Sequence, residues 1–138
     1  MSASASDILT TQKNNVVAIN TVAAFLQTLY NNVPTSQLGQ ASVGTSVGTL
    51  YTANTKIASH VNGIVICNTA APSASIYLFV VPAGGTAGPS NAIFYGNALP
   101  GNTTLDWQGY LIVPAGGSVQ GYASTTAVSI TLSGGTSV

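Results

Sequence analysis

The sequence predicts a mainly β protein, an antiparallel β-sandwich of jelly-roll type preceded by one N-terminal α-helix. Three observations carry this expectation. From Val47 onward the chain consists of short runs rich in Val, Ile, Tyr, Phe and Thr whose apolar residues recur with period two. Clusters of Gly, Pro and Asn separate those runs, and no helical period lies between them. Residues 8–33 instead repeat every seven positions, as a packed helix does.

The helix is expected to open at Ser6 or Asp7, whose side chains can accept hydrogen bonds from free backbone N–H groups. It should close before Pro34, which disfavours helical geometry at Val33. Leu9, Val16, Ala23 and Tyr30 recur every seven residues, and Gln12, Ile19, Leu26 and Val33 follow each by three. That is the alternating spacing of a coiled-coil seam. β-Branched residues in both seam positions, with the polar Gln12 in one layer, favour three strands over two. A second stripe of Ile8, Ala18, Val22, Phe25 and Leu29 widens the apolar face, so the helix is expected to have more than one neighbour. The same face also suits a helix lying on its own β-domain. Residues 1–34 are therefore read as an oligomerisation or anchoring helix.

Residues 35–46, TSQLGQASVGTS, are small and polar with two glycines and no apolar period, the composition of a flexible connector. The sandwich is then expected over residues 47–138. Strands are read near 48–53, 55–61, 63–69, 75–82, 92–95, 103–113 with a break admitted at Gly109, 117–124 and 127–133. Ile76, Leu78 and Val80 share one face of their strand while Tyr77, Phe79 and Val81 share the other, which predicts a central or covered strand. Val128, Ile130 and Leu132 alternate with Ser129 and Thr131, which predicts one face in the core and one in water. The pentapeptide VPAGG occurs twice, at 81–85 and 113–117, each time after an apolar strand. Pro removes a ladder donor and Gly admits positive φ, so both copies should end a strand and turn the chain.

Composition narrows the function. Of 138 residues only Asp7, Lys13, Lys56 and Asp106 carry a fixed charge, 3% of the chain, whereas an average soluble domain is roughly a quarter charged. Two lysines cannot neutralise a row of phosphates or hold an anionic membrane, which excludes nucleic acid and charged lipid as main partners. The N-terminus MSASASD has neither the basic region nor the apolar stretch of a secretory signal, and no apolar run approaches a membrane span. Cys67 is the single cysteine, so no intrachain disulfide is possible. Asn102-Thr103-Thr104 fits a glycosylation sequon but reads most simply as a turn. A surface with so few charges has little repulsion to keep copies apart, the character of a building block.

Few residues are available for chemistry. Gly44-Thr45-Ser46-Val47-Gly48 matches the G-x-S-x-G string of a hydrolase nucleophile elbow, yet it lacks the strand before, the helix after and the acid-then-histidine order downstream. His60 and Cys67 could form a thiol–imidazole pair only if a bulge or turn at Asn62-Gly63 re-aimed them, since an odd separation puts them on opposite faces of a regular strand. No cluster of His, Cys or carboxylates has ligand spacing, so neither metal nor cofactor is expected, and no catalytic residue is assigned. The aromatics Tyr51, Tyr77, Phe79, Phe94, Tyr95, Trp107, Tyr110 and Tyr122 all lie in the β part. They either fill the core and subunit interfaces or, where exposed, stack on sugar rings. Trp107, beside Asp106, and Tyr110 are the candidates for glycan or partner contact.

The runs Ile64–Thr69, IYLFVVPAGGTAG at 76–88, Asn91-Ala92-Ile93 and Leu111–Ser124 resemble small virion structural proteins of tailed bacteriophages. The opening SDILTTQKNNVVAINTV is similar to the N-terminal helix of such proteins. The resemblance implies a β-sandwich that decorates a capsid or forms part of a tail or fibre, commonly as a trimer, and it transfers no functional site. The expected function is thus a non-enzymatic virion component: a homotrimeric capsid decoration or head-fibre protein, contacting the major capsid protein or other virion proteins through apolar and neutral polar groups. A tail or fibre-tip module that binds host-surface glycans through exposed aromatics is the alternative.

Overall fold

The computed structural model describes residues 4–31 and 36–136, with side chains described outside residues 25–31. The chain divides into two compact units, one holding the helix and the other all of the strands.

Helix α1 spans Ala5–Asn31. Its N-cap is Ser4, two residues before Ser6 and three before Asp7, the two caps expected from the sequence. The Asp7 N–H donates to Ser4 Oγ at 3.1 Å and the Ser4 N–H donates to Asp7 Oδ2 at 3.3 Å, a reciprocal capping box that satisfies two otherwise orphaned donors. Asp7 is therefore the third residue of the first turn rather than the cap, and its carboxylate also complements the positive end of the helix.

Among the described residues eight strands follow: β1 (Ser36–Ser42), β2 (Gly48–Thr52), β3 (Ser59–Asn68), β4 (Ala74–Val81), β5 (Ala92–Leu99), β6 (Thr104–Val113), β7 (Ser118–Ala123) and β8 (Val128–Thr136), with one 3₁₀ turn at Pro89–Asn91. They form two four-stranded sheets, ordered β1-β8-β3-β6 and β2-β7-β4-β5. All pairings are antiparallel and nested, β4 with β5, β3 with β6, β2 with β7 and β1 with β8. This is one long ribbon folded at β4–β5 and rolled until β3 meets β8 and β4 meets β7, the jelly-roll arrangement the sequence predicts.

The core lies between the sheets. Val61, Ile64, Ile66, Val113, Val128, Ile130 and Leu132 come from one inner face, and Ala74, Ile76, Leu78, Phe94, Leu99, Val119 and Ala123 from the other. Each fully buried Val, Leu or Ile contributes about 1.5–3 kcal/mol relative to exposure, so this alternation is what selects the register. Strand β4 is central, with Ile76, Leu78 and Val80 packed inward and Phe79 and Val81 buried on its other face, as its two apolar faces predict.

Two expectations are corrected. Residues 36–42, expected within a flexible connector, form β1, an edge strand paired with β8 from Ser36↔Gly134 to Ser42↔Ser129. SQLGQAS carries little strand propensity of its own; β8 supplies its hydrogen bonds, and Leu38 and the buried Val43 just beyond the strand pack on the core. The second correction merges the expected strands 55–61 and 63–69 into β3. Asn62 is an extra residue against β8, since Val61 faces Gly134 and Gly63 faces Ser133, so Asn62-Gly63 is a β-bulge and not a turn.

Both VPAGG segments end a strand in the same way. In the first, the Gly85 N–H donates to the Pro82 carbonyl at 2.9 Å with Gly84 at φ 73°; in the second, the Gly117 N–H donates to the Pro114 carbonyl at 2.8 Å with Gly116 at φ 73°. These are type II turns, which need positive φ at their third residue.

Candidate functional site

Three surfaces could carry function. The first is the apolar stripe of α1. Ile8, Leu9, Val16, Val17, Ile19 and Val22 are 51–66% exposed. The seam residues Leu9, Gln12 and Val16 line one shallow groove along the helix, and Ile19 and Ala23 line the next, with Val22 and Ala18 beside them. The five seam residues whose side chains are described thus lie bare along the helix. The side chains of Leu26 and Tyr30, and Val33 entirely, lie outside the described residues, as do the side chains of Phe25 and Leu29.

The second is the outer face of the β2-β7-β4-β5 sheet, an aromatic cluster. Tyr77 stacks on Tyr122 with ring centroids 4.3 Å apart and planes within 4°, and Tyr95 meets Tyr77 edge-on at 5.3 Å. Phe79 lies 6.2 Å from Tyr122 and 6.4 Å from Tyr95. The register explains the grouping, since Tyr77 is opposite Tyr122 on one side and Tyr95 on the other. Desolvation raises the pKa of the Tyr122 phenol above its ordinary value, helped by the neighbouring Tyr77 and Tyr95 phenols. Phe79 is buried while Tyr95 remains exposed at the edge strand β5.

The third is the outer face of the β1-β8-β3-β6 sheet. The bulge at Asn62 shifts the parity of β3: Val61, Ile64 and Ile66 face inward, leaving His60, Val65 and Cys67 outward. His60 and Cys67 therefore share a face, the re-aiming that a bulge permits, but seven residues of strand hold them roughly 20 Å apart. His60 stacks instead on Tyr110, with centroids 5.6 Å apart and planes 16° apart. Beside that pair, Asn62, Gly63, Val65, Asp106, Gln108 and Ser133 line a shallow dish of about 430 Å³. Gly63 leaves room there for Ser133, since a Cβ at this position would come within 2.6 Å of Ser133 Oγ and force that hydroxyl to rotate away.

Trp107 and Tyr110 are thereby separated. Trp107 turns inward and packs on the core beside Leu105 and Leu111, over Gly109, where any Cβ would meet the indole at 2.5 Å. Tyr110 points outward and is 69% exposed. Of the two, Tyr110 is the exposed one, and its partner is His60, fifty residues earlier in the chain. Only the β3–β6 register, His60↔Ile112, brings them together.

The remaining chemical candidates do not assemble. Gly44–Gly48 is a bend joining β1 to β2, so Ser46 has no strand–turn–helix elbow. Asp106 is opposite Val65 and His60 opposite Ile112, at separate points of the β3–β6 ladder. Among the described residues no three His, Cys, Asp or Glu side chains are placed to hold a metal ion, and no helix is long and apolar enough to cross a membrane. Asn102 sits at φ 54° in a turn, as its sequence context suggests.

No family model and no curated protein sequence matches the chain. Among solved structures, a chain in the structure of infectious bursal disease virus Gx strain is similar at a TM-score of 0.42 and 15% identity. The alignment covers 75% of this chain and 30% of that one, so this chain spans under a third of its length. A likeness this slight bears on neither family nor function.

Proposed function

We propose that the chain is a structural subunit of a virion, a homotrimer assembled through α1 whose jelly roll packs against other virion proteins. The observation that carries this reading is the exposed heptad stripe on α1. A 27-residue helix with Leu9, Val16 and Ile19 bare to water gains most of its stability from a partner, because isolated helices are marginal and contiguous apolar patches on soluble monomers are small. Seven-residue spacing selects copies of the same helix as that partner, and β-branched residues in both seam positions select three.

The sandwich suits the same role. Its faces offer hydroxyl, amide and aromatic groups with almost no charge, and such contacts depend on fit and hydrogen bonding. Jelly rolls serve capsid and lectin domains alike, so the fold is compatible with the virion reading without selecting it. The sequence resemblance to small tailed-phage virion proteins agrees with a virion role, as a capsid decoration or as part of a tail or fibre.

Light scattering on the full chain and on a version lacking residues 1–34 tests the assembly. The full chain is expected at three times its 13.8 kDa mass and the shortened one as a monomer. A full-length monomer at micromolar concentration overturns the reading.

A further inference from the structure

The dish on the outer face of β3, β6 and β8 has a chemistry that assembly does not require. Its lining combines one carboxylate, Asp106, two carboxamides, Asn62 and Gln108, and one hydroxyl, Ser133, with Val65 between them. Ser133 Oγ donates to the Gly63 carbonyl at 3.3 Å. Among the described residues, the side chains of Asn62, Asp106 and Gln108 have no hydrogen-bond partner. Elsewhere in the sandwich the described amide side chains other than Asn102 are engaged internally, among them Gln40 with Thr131, Asn54 with the Lys56 N–H, Asn91 with Gly88 and Thr86, Asn97 with the Tyr95 N–H, and Gln120 with Ser118. Free donors and acceptors are thus gathered at one concavity.

We propose that this dish binds a neutral saccharide, with a sugar ring held by Asn62, Asp106 and Gln108 and an adjoining apolar ring face laid on Tyr110. A sugar hydroxyl both donates and accepts, so it is matched by a carboxylate that only accepts and by carboxamides that do both. No Lys or Arg lines the dish, and Asp106 would face an anionic ligand unpaired, which excludes sialylated, sulfated and phosphorylated sugars. The platform stands on the same face of the same strand. Tyr110 follows Gln108 by two positions on β6, and with His60 stacked on one side of its ring it is held in place while staying 69% exposed. The volume of about 430 Å³ lies within the range of small-ligand sites. The site exists because of the Asn62 bulge, which opens the ladder between Val61 and Gly63 and leaves Asn62 unpaired beside Gln108.

This inference does not rest on the virion reading. It is tested on the full-length protein by saturation-transfer NMR with methyl glycosides of glucose, galactose, mannose and N-acetylglucosamine, each alone, and with sialic acid as the anionic control. At least one neutral glycoside is expected to give transfer, with at least tenfold weaker binding in Asp106→Ala and in Tyr110→Ala and unchanged binding in Lys56→Ala. Should a variant lose its fold, the wild-type amide spectrum decides: shifts caused by the glycoside are expected at residues 62–65, 106–110 and 133. Absence of transfer from all four neutral glycosides, equal binding of sialic acid, or shifts confined to other surfaces overturns the proposal. Each of those results leaves the oligomeric state, and hence the assembly test, unaffected.

Discussion

Asn68 shows how much one buried polar side chain can hold. It ends β3 fully buried, and its Nδ2 donates to the carbonyls of Pro72 at 2.8 Å, Leu99 at 3.2 Å and Pro100 at 3.4 Å, while its Oδ1 accepts from the Ala70 N–H at 3.2 Å. Its backbone N–H reaches the Thr103 carbonyl at 2.9 Å. One amide thus ties the β3–β4 loop to the β5–β6 loop, and its removal leaves the buried Leu99 carbonyl without that donor and frees the part-buried carbonyls of Pro72 and Pro100. Each buried unsatisfied group costs about 1–3 kcal/mol, so Asn68→Ala is expected to destabilise the fold by roughly 2–4 kcal/mol. Asn68→Asp should be worse, because a carboxylate cannot donate and would face three carbonyl oxygens. Urea unfolding measures both, and an Asn68→Ala midpoint equal to wild type would remove the clamp from this account. Tyr51 and Ser59 solve the same problem more simply, sharing a 2.6 Å hydrogen bond that satisfies the buried serine.

At the scale of elements, the paired VPAGG turns are the clearest case of sequence chemistry setting backbone geometry. They lie side by side: a Cβ on Gly116 would approach Ala83 Cβ to 3.2 Å, whereas one on Gly84 would meet nothing. Both positions have φ 73°, so Gly84→Ala and Gly116→Ala each incur the left-handed penalty of about 1–2 kcal/mol. Gly116→Ala is expected to cost more, since the added methyl must also displace Ala83. Denaturant midpoints for the two variants give the comparison, and a larger loss for Gly84→Ala would contradict it. The bulge in β3 works oppositely. Asn-Gly is a strong hairpin signal, but here the hydrophobic residues on either side, Val61 and Ile64, must both face the core, and absorbing Asn62 as an extra residue achieves that without ending the strand.

Over the whole molecule, the shortage of charge governs association. Attraction between charges weakens as the Debye length falls from about 10 Å at 0.1 M salt to about 3 Å at 1 M, and four charges leave few such pairs to weaken. Oligomers of this chain, and its attachment to any larger assembly, are therefore expected to survive molar NaCl. Val16→Asp or Ile19→Asp should dissociate them, because burying an unpaired carboxylate in a seam costs several kcal/mol, whereas Lys13→Ala and Lys56→Ala should not. Sedimentation in low and high salt reads both outcomes; release of the wild-type protein by salt alone would overturn the expectation.

Much of this protein was legible from residue to neighbouring residue. The seven-residue helix pattern, the two-faced β4, the one-sided β8 and the VPAGG turns are written in local spacing, and they suffice for a helix followed by an antiparallel jelly roll. Eight strands are expected and eight form, yet the agreement conceals two offsetting differences: β1 is absent from the sequence reading and β3 is divided in it. Both arise from pairing across distance. β1 becomes a strand because β8, nearly a hundred residues later, offers it a ladder, and β3 stays whole because β8 and β6 together hold its two halves in register. The same long-range register turns Trp107 inward, sets His60 on Tyr110 and gathers Asn62, Asp106, Gln108 and Ser133 around one dish. Periodicity fixes which residues seek the core, because that preference belongs to each side chain; which residues meet on the outside depends on hydrogen-bond partners that only the folded sheet brings together.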